Sequence, residues 1–356
     1  MKITLSKYPL ENILANFQSF LDKRDQSQIT SHIFFQVQGN HLLLRATDFE
    51  MGIQSKIEIS KVEQEGTGTV NGKKILDIIK QLKDGKEITF ETNDDNLIIK
   101  QEKAKFKLPM FNADEFPSFP QYNQESKINI PSSNFIEAIK KISPAVGVNN
   151  PKIELNGAHL DMKEYEINFV ATDTRRLALV RLETQSISTL SIIIPKRALG
   201  EITKLFIDEL SIYFNESQLI FETGNYAFFT KLTNGRFPDY ERIIPKNINH
   251  TFTLSKSKFV ESLRIINSIS QDVKMTFDNG VINFESMSNE NSEANTQCEA
   301  QIQVENPVMI AANSKSILDF LGQMDGENFE FCISEPNLPF MIKDKNFSTI
   351  VMPINL

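Results

Sequence analysis

Ser132-Ser133-Asn134-Phe135-Ile136-Glu137-Ala138-Ile139-Lys140-Lys141-Ile142 puts Phe135, Ile136, Ile139 and Ile142 on one side of a helix. Apolar residues at i, i+1 and i+4, with another a turn further on, make one buried stripe, and Pro131-Ser132 supplies a start signal. The same pattern occurs near Leu10 (Ile13, Leu14, Phe17, Leu21; segment 10–21, with Pro9 before it) and near Ser255 (Phe259, Val260, Leu263, Ile266). The three starts lie 122 and 123 residues apart, which is the signature of an internal repeat. A second helical set follows in each third: Ile75, Leu76, Ile79, Leu82 from Lys73; Leu199, Ile202, Leu205, Phe206 from Lys196; and Ile317, Leu318, Leu321, Met324 from Ser314.

Between these helices the pattern changes to short strands: His41 to Ala46, Glu87 to Glu91, Asn96 to Lys100, Glu166 to Ala171, Gln218 to Glu222, Lys274 to Phe277 and Val281 to Glu285. Asn93-Asp94-Asp95, Asn215-Glu216 and Asp278-Asn279-Gly280 supply the turns that hairpins require. The chain therefore reads as a strand-rich α+β protein with two helices per third. Linkers are expected near Phe116 to Lys127 and Pro245 to Thr251, where Pro, Asn and polar residues gather. Domains are expected at 1–120, 128–246 and 247–356, in keeping with a length of 356 residues and roughly 100–200 residues per domain.

Composition is that of an ordinary globular protein, 40% hydrophobic and 24% charged. The first residues lack the apolar core of a signal peptide and no apolar run approaches a membrane span, so a cytoplasmic protein without a membrane partner is expected. The two cysteines, Cys298 and Cys332, lie outside any metal-binding spacing and read as structural. A net charge of -8 excludes a protein that coats nucleic acid by overall attraction. The charge is unevenly placed, however: the six helical segments hold thirteen Lys and Arg against six Asp and Glu. A solvated helix face accounts for any one of them; a shared surface lined by all six would attract phosphate while the remainder repels it.

Chemistry-bearing motifs are scarce. Gly66, Gly68, Gly72 and Lys73 lack P-loop spacing, and Lys74 stands where the Mg²⁺-holding Ser or Thr belongs. His32, His41, His159 and His250 are scattered, and Asp94-Asp95 and Asp272/Asp278 sit in turn-like positions where Asp serves local hydrogen bonding. No metal, cofactor or catalytic residue is expected. A metal-dependent nuclease would need clustered carboxylates, and a monomeric β-rich interaction module would form no closed oligomer.

Longer motifs are specific. Val170-Ala171-Thr172-Asp173-Thr174-Arg175-Arg176-Leu177-Ala178, Gly235-Arg236-Phe237-Pro238-Asp239-Tyr240 with Arg242 and Pro245, and Val351-Met352-Pro353-Ile354-Asn355-Leu356 resemble the bacterial DNA polymerase III beta subunit. Ala46-Thr47-Asp48-Phe49-Glu50-Met51 and Leu155-Asn156-Gly157 resemble it too. The resemblance runs the length of the chain. It implies three repeats of one sliding-clamp (DNA clamp) fold and a head-to-tail homodimer closed into a ring. Helices would line the hole and antiparallel sheets would form the outer wall. The implied function is that of a non-catalytic processivity factor that encircles double-stranded DNA without reading sequence. It would tether the replicative polymerase, clamp loader and repair polymerases through short peptide motifs.

By motif match, the partner-peptide pocket would use Leu155, Thr172, Arg175, Arg176, Leu177, Pro238, Arg242, Ile243, Asn313, Met352, Pro353 and Ile354. Thr174-Arg175 stands where the best-known members have Gly-His, and Asn355 replaces a basic residue; both changes touch the rim. Arg24, Lys73, Asn149, Arg197 and Lys258 are expected to face DNA. Lys103-Ala104-Lys105-Phe106-Lys107-Leu108 reads as a lysine-protected edge strand. Lys74, Phe106 and Leu108 are expected to meet Ile265, Ile266, Ile269, Glu290, Glu293 and Glu299 of a second chain.

Overall fold

The computed structural model describes residues 1–22, 28–122, 126–184, 189–206, 209–287 and 292–355. Its helices are α1 (Lys7–Phe17), α2 (Gly72–Gln81), α3 (Ser132–Ile142), α4 (Lys196–Leu205), α5 (Lys256–Asn267) and α6 (Ser314–Gln323). In each third a strand leads into the first helix and pairs antiparallel with the strand that follows the second helix: Lys2–Ser6 with Glu87–Asn93, Ser126–Ile128 with Ser211–Phe214, and His250–Ser255 with Asn328–Ile333. The apolar stripes read from sequence are the buried faces: Leu10, Ile13, Leu14 and Phe17 in α1, Phe135, Ile136, Ile139 and Ile142 in α3, and Phe259, Leu263 and Ile266 in α5. Among the described residues no helix is long and apolar enough to cross a membrane.

α1 begins and ends earlier than its apolar stripe suggests, at Lys7 and Phe17, with a 3-10 turn at Gln18–Phe20. The reason lies in Lys7, whose buried side chain donates to the Leu82 carbonyl beyond α2 at 2.6 Å and to Asp84 at 2.7 Å. The third repeat does the same, since Lys256 Nζ donates to the Met324 carbonyl beyond α6 at 2.9 Å. In both, the first residue of one helix brings a cation to the carbonyl end of the other, where the helix dipole favours it.

The chain forms two compact units, residues 1–132 with 204–232 and residues 133–203 with 233–356. In the first, an eight-stranded antiparallel sheet continues from Met51–Glu58 into Tyr226–Lys231, and a five-stranded sheet ends on the edge strand Ala104–Pro109. The stretch 116–122 is not the loose polar linker its composition suggests. Phe116 stacks on Phe34 at 5.4 Å, Phe119 meets Phe229 edge-on at 5.3 Å, and the Tyr122 hydroxyl donates to Glu222 at 2.8 Å. Three aromatic anchors hold this segment against the unit, a contribution that a count of Pro and Asn does not register.

The second unit has an eight-stranded antiparallel sheet in which Arg176–Glu183 pairs with the last strand, Phe347–Val351, and a four-stranded sheet with edge strands Asn295–Glu299 and Val308–Asn313.

One turn occurs in both units. In the first, Thr47 Oγ1 donates to the Met51 carbonyl at 2.7 Å and accepts from Phe49 N, while Asp48 Oδ1 accepts from Glu50 N and Met51 N. In the second, Thr172 Oγ1 donates to the Arg176 carbonyl at 2.6 Å and accepts from Thr174 N, while Asp173 Oδ1 accepts from Arg175 N and Arg176 N. Phe49 and Thr174 hold the matching left-handed position, at φ 71° and 80°. Thr-Asp side chains hydrogen-bond the backbone a few residues on, and this fixes the turn without glycine.

Candidate functional site

The proposed pocket residues all lie in the second unit, and two of them, Leu155 and Leu177, belong to one apolar cluster. Leu155, Val170, Leu177, Leu179, Ile193, Phe237, Tyr240 and Ile350 are buried together, with Ile244 and Met341 packed against them. Leu155 sits on a 3-10 turn, Ile153–Leu155, whose chain then passes through Gly157. A Cβ at Gly157 would stand 2.6 Å from the Ile194 carbonyl oxygen, so this close strand approach requires glycine. The turn is tied to its neighbours by Gly147 N donating to the Leu155 carbonyl at 3.0 Å. Asn156 accepts from Asn150 N at 2.8 Å and donates to the Asn150 carbonyl at 2.9 Å.

Pro238 lies between the buried Phe237 and Tyr240, and Tyr240–Arg242 form a 3-10 turn. Beneath that turn is a network the motif match does not include. Phe237 stacks on the His159 ring with centroids 4.7 Å apart, His159 Nδ1 meets the Ile192 carbonyl at 3.1 Å, and the Tyr240 hydroxyl donates to Asp161 at 2.6 Å. Burial lowers the His159 pKa, opposed by its bond to Ile192. The Tyr240 pKa is raised, first by burial and then by the hydrogen bond to Asp161. Both groups therefore stay neutral near pH 7 and hold the turn that carries Arg242 and Ile243. The aromatic pair of Gly235-Arg236-Phe237-Pro238-Asp239-Tyr240 was the available signal; its partners His159 and Asp161 alternate on a single strand, Gly157–Met162, but lie far away in sequence.

The C-terminal segment continues from Ile350, a member of the cluster. Beyond Val351, Met352 N donates to the Arg175 carbonyl at 2.9 Å and Ile354 N donates to the Ala311 carbonyl at 2.8 Å. The tail thus joins the Thr172–Arg176 turn to the edge strand Val308–Asn313. Pro353 and Ile354 are half-buried, whereas Met352 remains 43% exposed and Ile243 38%. An apolar floor with exposed apolar side chains around it suits hydrophobic anchors of a peptide.

Not every pocket residue offers its side chain. The Arg176 guanidinium is buried and committed: Nε to Asp173 at 3.1 Å, Nη1 to Asp319 at 2.7 Å, and Nη2 to the Pro144 carbonyl. It ties the turn to α6. Asn313 donates to Asp272 at 3.2 Å and precedes α6, and the Thr172 hydroxyl is spent within its turn. Arg242 is exposed and paired with Asp239 at 2.7 Å, while Arg175 is exposed.

The residues expected to face DNA that are described, Lys73 in the first unit and Asn149, Arg197 and Lys258 in the second, are exposed; Arg24 lies outside the described residues. Asn149 is in the left-handed region, φ 51°, in the loop that Asn156 braces. Three of the helix cations are committed within the fold: Lys141 is buried against Glu137 and Asp325, and Lys196 and Lys256 donate to the Val146 and Met324 carbonyls. On the edge strand of the first unit, Phe106 and Leu108 are half-buried on one face and Lys105 and Lys107 exposed on the other; Lys74 is exposed. In the second unit Ile265, Ile269, Glu293 and Glu299 are exposed. Ile266 is fully buried in the α5 core, so it cannot meet a second chain; a helical stripe and its flank differ by one residue. Glu290 lies outside the described residues.

A helix pair and strand set repeated along the chain is the architecture of a DNA clamp. Family models agree throughout: DNA polymerase III beta subunit N-terminal domain over residues 1–120, central domain over 129–239 and C-terminal domain over 241–355. A beta sliding clamp of Helicobacter pylori (strain J99) is 40% identical over 375 residues, covering 100% of both chains. The crystal structure of the Helicobacter pylori beta clamp bound to DNA ligase peptide matches with a TM-score of 0.94 at 40% identity over 100% of both chains. The Pseudomonas aeruginosa DNA polymerase III subunit beta shares the fold with a TM-score of 0.94 at 24% identity, again over 100% of both chains. The chain belongs to the DNA polymerase III beta subunit family.

Proposed function

We propose that the chain is a non-catalytic processivity factor: a sliding clamp that closes as a head-to-tail homodimer around double-stranded DNA and holds polymerases and other partners by short peptides. The observation that carries this reading is the C-terminal tail pinned by the Arg175 and Ala311 carbonyls, continuing from Ile350 of the Leu155–Leu177–Tyr240 cluster, with Met352 and Ile243 left exposed. A relative matched over the whole of both chains, bound to a DNA ligase peptide, supports a peptide site here. The domains would be 1–120, 128–246 and 247–356. Phosphate contacts carry no sequence information, so exposed helix and loop residues such as Lys73, Asn149, Arg197 and Lys258 suit a ring that slides. Closure would bring the half-buried Phe106 and Leu108 to Ile265 and Ile269, with Lys105 and Lys107 near Glu293 and Glu299. The ring, its DNA and the replication partners make this a protein of the cytoplasm.

The test is calorimetric titration of a synthetic peptide with Leu and Phe anchors against the native chain, Met352→Glu and Ile243→Glu. Both positions are exposed, so unchanged melting is expected. Affinity should fall at least about tenfold, or 1.4 kcal/mol, in each variant. Native affinity in both would remove the tail and the 3-10 turn from the site.

A further inference from the structure

We propose that Arg175 selects partner peptides carrying a carboxylate beside their apolar anchors, an inference that rests on the peptide-site reading above. Its backbone is fixed on both sides: its N–H and that of Arg176 donate to Asp173 Oδ1, and its carbonyl accepts from Met352 N at 2.9 Å. The guanidinium thus projects from a rigid turn, exposed, next to the exposed Met352.

The matching turn of the first unit explains what this cation lacks. There Glu50 holds the place of Arg175: its N–H donates to Asp48 Oδ1, and its carbonyl accepts from Lys231 N at 2.9 Å. Lys231 also supplies the counter-ion, with Nζ 3.1 Å from the Glu50 carboxylate. In the second unit the residue bonded to the turn carbonyl is Met352, which has no charge. The nearby carboxylates are already engaged: Asp173 Oδ2 and Asp319 hold Arg176, and Asp319 also pairs with Lys315 at 2.6 Å. Arg175 forms no ion pair among the described residues.

A peptide packed on Met352 therefore lies beside a cation whose counter-ion the fold has omitted. Guanidinium binds carboxylate bidentately, which orients a short peptide as well as attracting it. Because the pair is solvent-exposed, the expected preference is about two- to fivefold, and it falls with salt.

The experiment uses synthetic peptides with Leu and Phe anchors, made in pairs that place Asp or Asn at each position flanking the anchors. They are titrated against the native chain, Arg175→Gln and Arg175→Glu at low and high salt. The native chain should prefer Asp by about two- to fivefold at one position or more. The ratio should drop to one in Arg175→Gln and below one in Arg175→Glu. A ratio of one at every position in the native chain, or a ratio that survives in Arg175→Gln, overturns the inference while leaving the peptide site standing. If no peptide binds the native chain, the site itself is wrong and the inference fails with it.

Discussion

Deleting residues 354–356 tests whether the tail is part of the peptide site or a frayed end. Chain termini are usually tolerant of loss, but this one is tied down. The Ile354 N–H donates to the Ala311 carbonyl at 2.8 Å and its side chain is half-buried. The hydrogen bond contributes about 0.5–1.5 kcal/mol, and burying about half of an isoleucine side chain contributes about 1 kcal/mol. Together about 1.5–2.5 kcal/mol holds the last turn of chain in place. Without it Met352 keeps its bond to the Arg175 carbonyl but loses the support on its far side, and an arriving peptide must order the segment itself. We predict peptide affinity at least about tenfold weaker, read by calorimetric titration of the truncated and native proteins, with dimer mass unchanged. Ile354→Ser, which keeps the chain length and the backbone donor, should show a smaller loss. Equal affinity in native and truncated protein would refute the reasoning.

Arg176→Met should cost about 2–4 kcal/mol in urea unfolding, because Asp173 and the Pro144 carbonyl lose their partner while Asp319 keeps Lys315; native stability would mean the guanidinium holds nothing. Burial, helped by Lys74, lowers the His32 pKa to about 4 from 6.5, and the unfolded chain then binds the extra proton between those values. Stability should therefore fall as pH drops from about 6.5 toward 4, by up to about 3 kcal/mol. The part due to His32 should vanish in His32→Gln; the same acid slope in that variant would assign the loss elsewhere. Replacing Phe106 and Leu108 together by Ala should yield monomer in sedimentation, and dimer persisting at nanomolar protein would move the interface to another surface.

Much of this was legible because it is local. Helix stripes recur at i and i+4, and the Thr-Asp turn is written twice, at Thr47-Asp48 and Thr172-Asp173, with matching hydrogen bonds. What periodicity could not supply depends on partners far apart in sequence. Arg176 reads as a pocket residue by motif, and its partners Asp319 and Pro144, far away in sequence, are visible only in the fold. Lys7 reads as preceding α1, yet it opens the helix by reaching Leu82. Ile265 and Ile266 are adjacent and both apolar; only packing against the sheet decides that one is exposed and the other buried. The candidate pocket residues stand in motifs, but the His159–Phe237–Tyr240–Asp161 network beside them follows from strand register and aromatic stacking.

The central claim is topological, and retention on DNA tests it most directly. The protein is assembled by a clamp loader on a nicked circular plasmid, separated from free protein by gel filtration in high salt, and assayed again after a single cut linearises the DNA. A closed ring predicts protein retained on the circle and released from the linear form, because escape then needs only a free end. Equal retention on both forms, or loss from both in salt, would contradict the account.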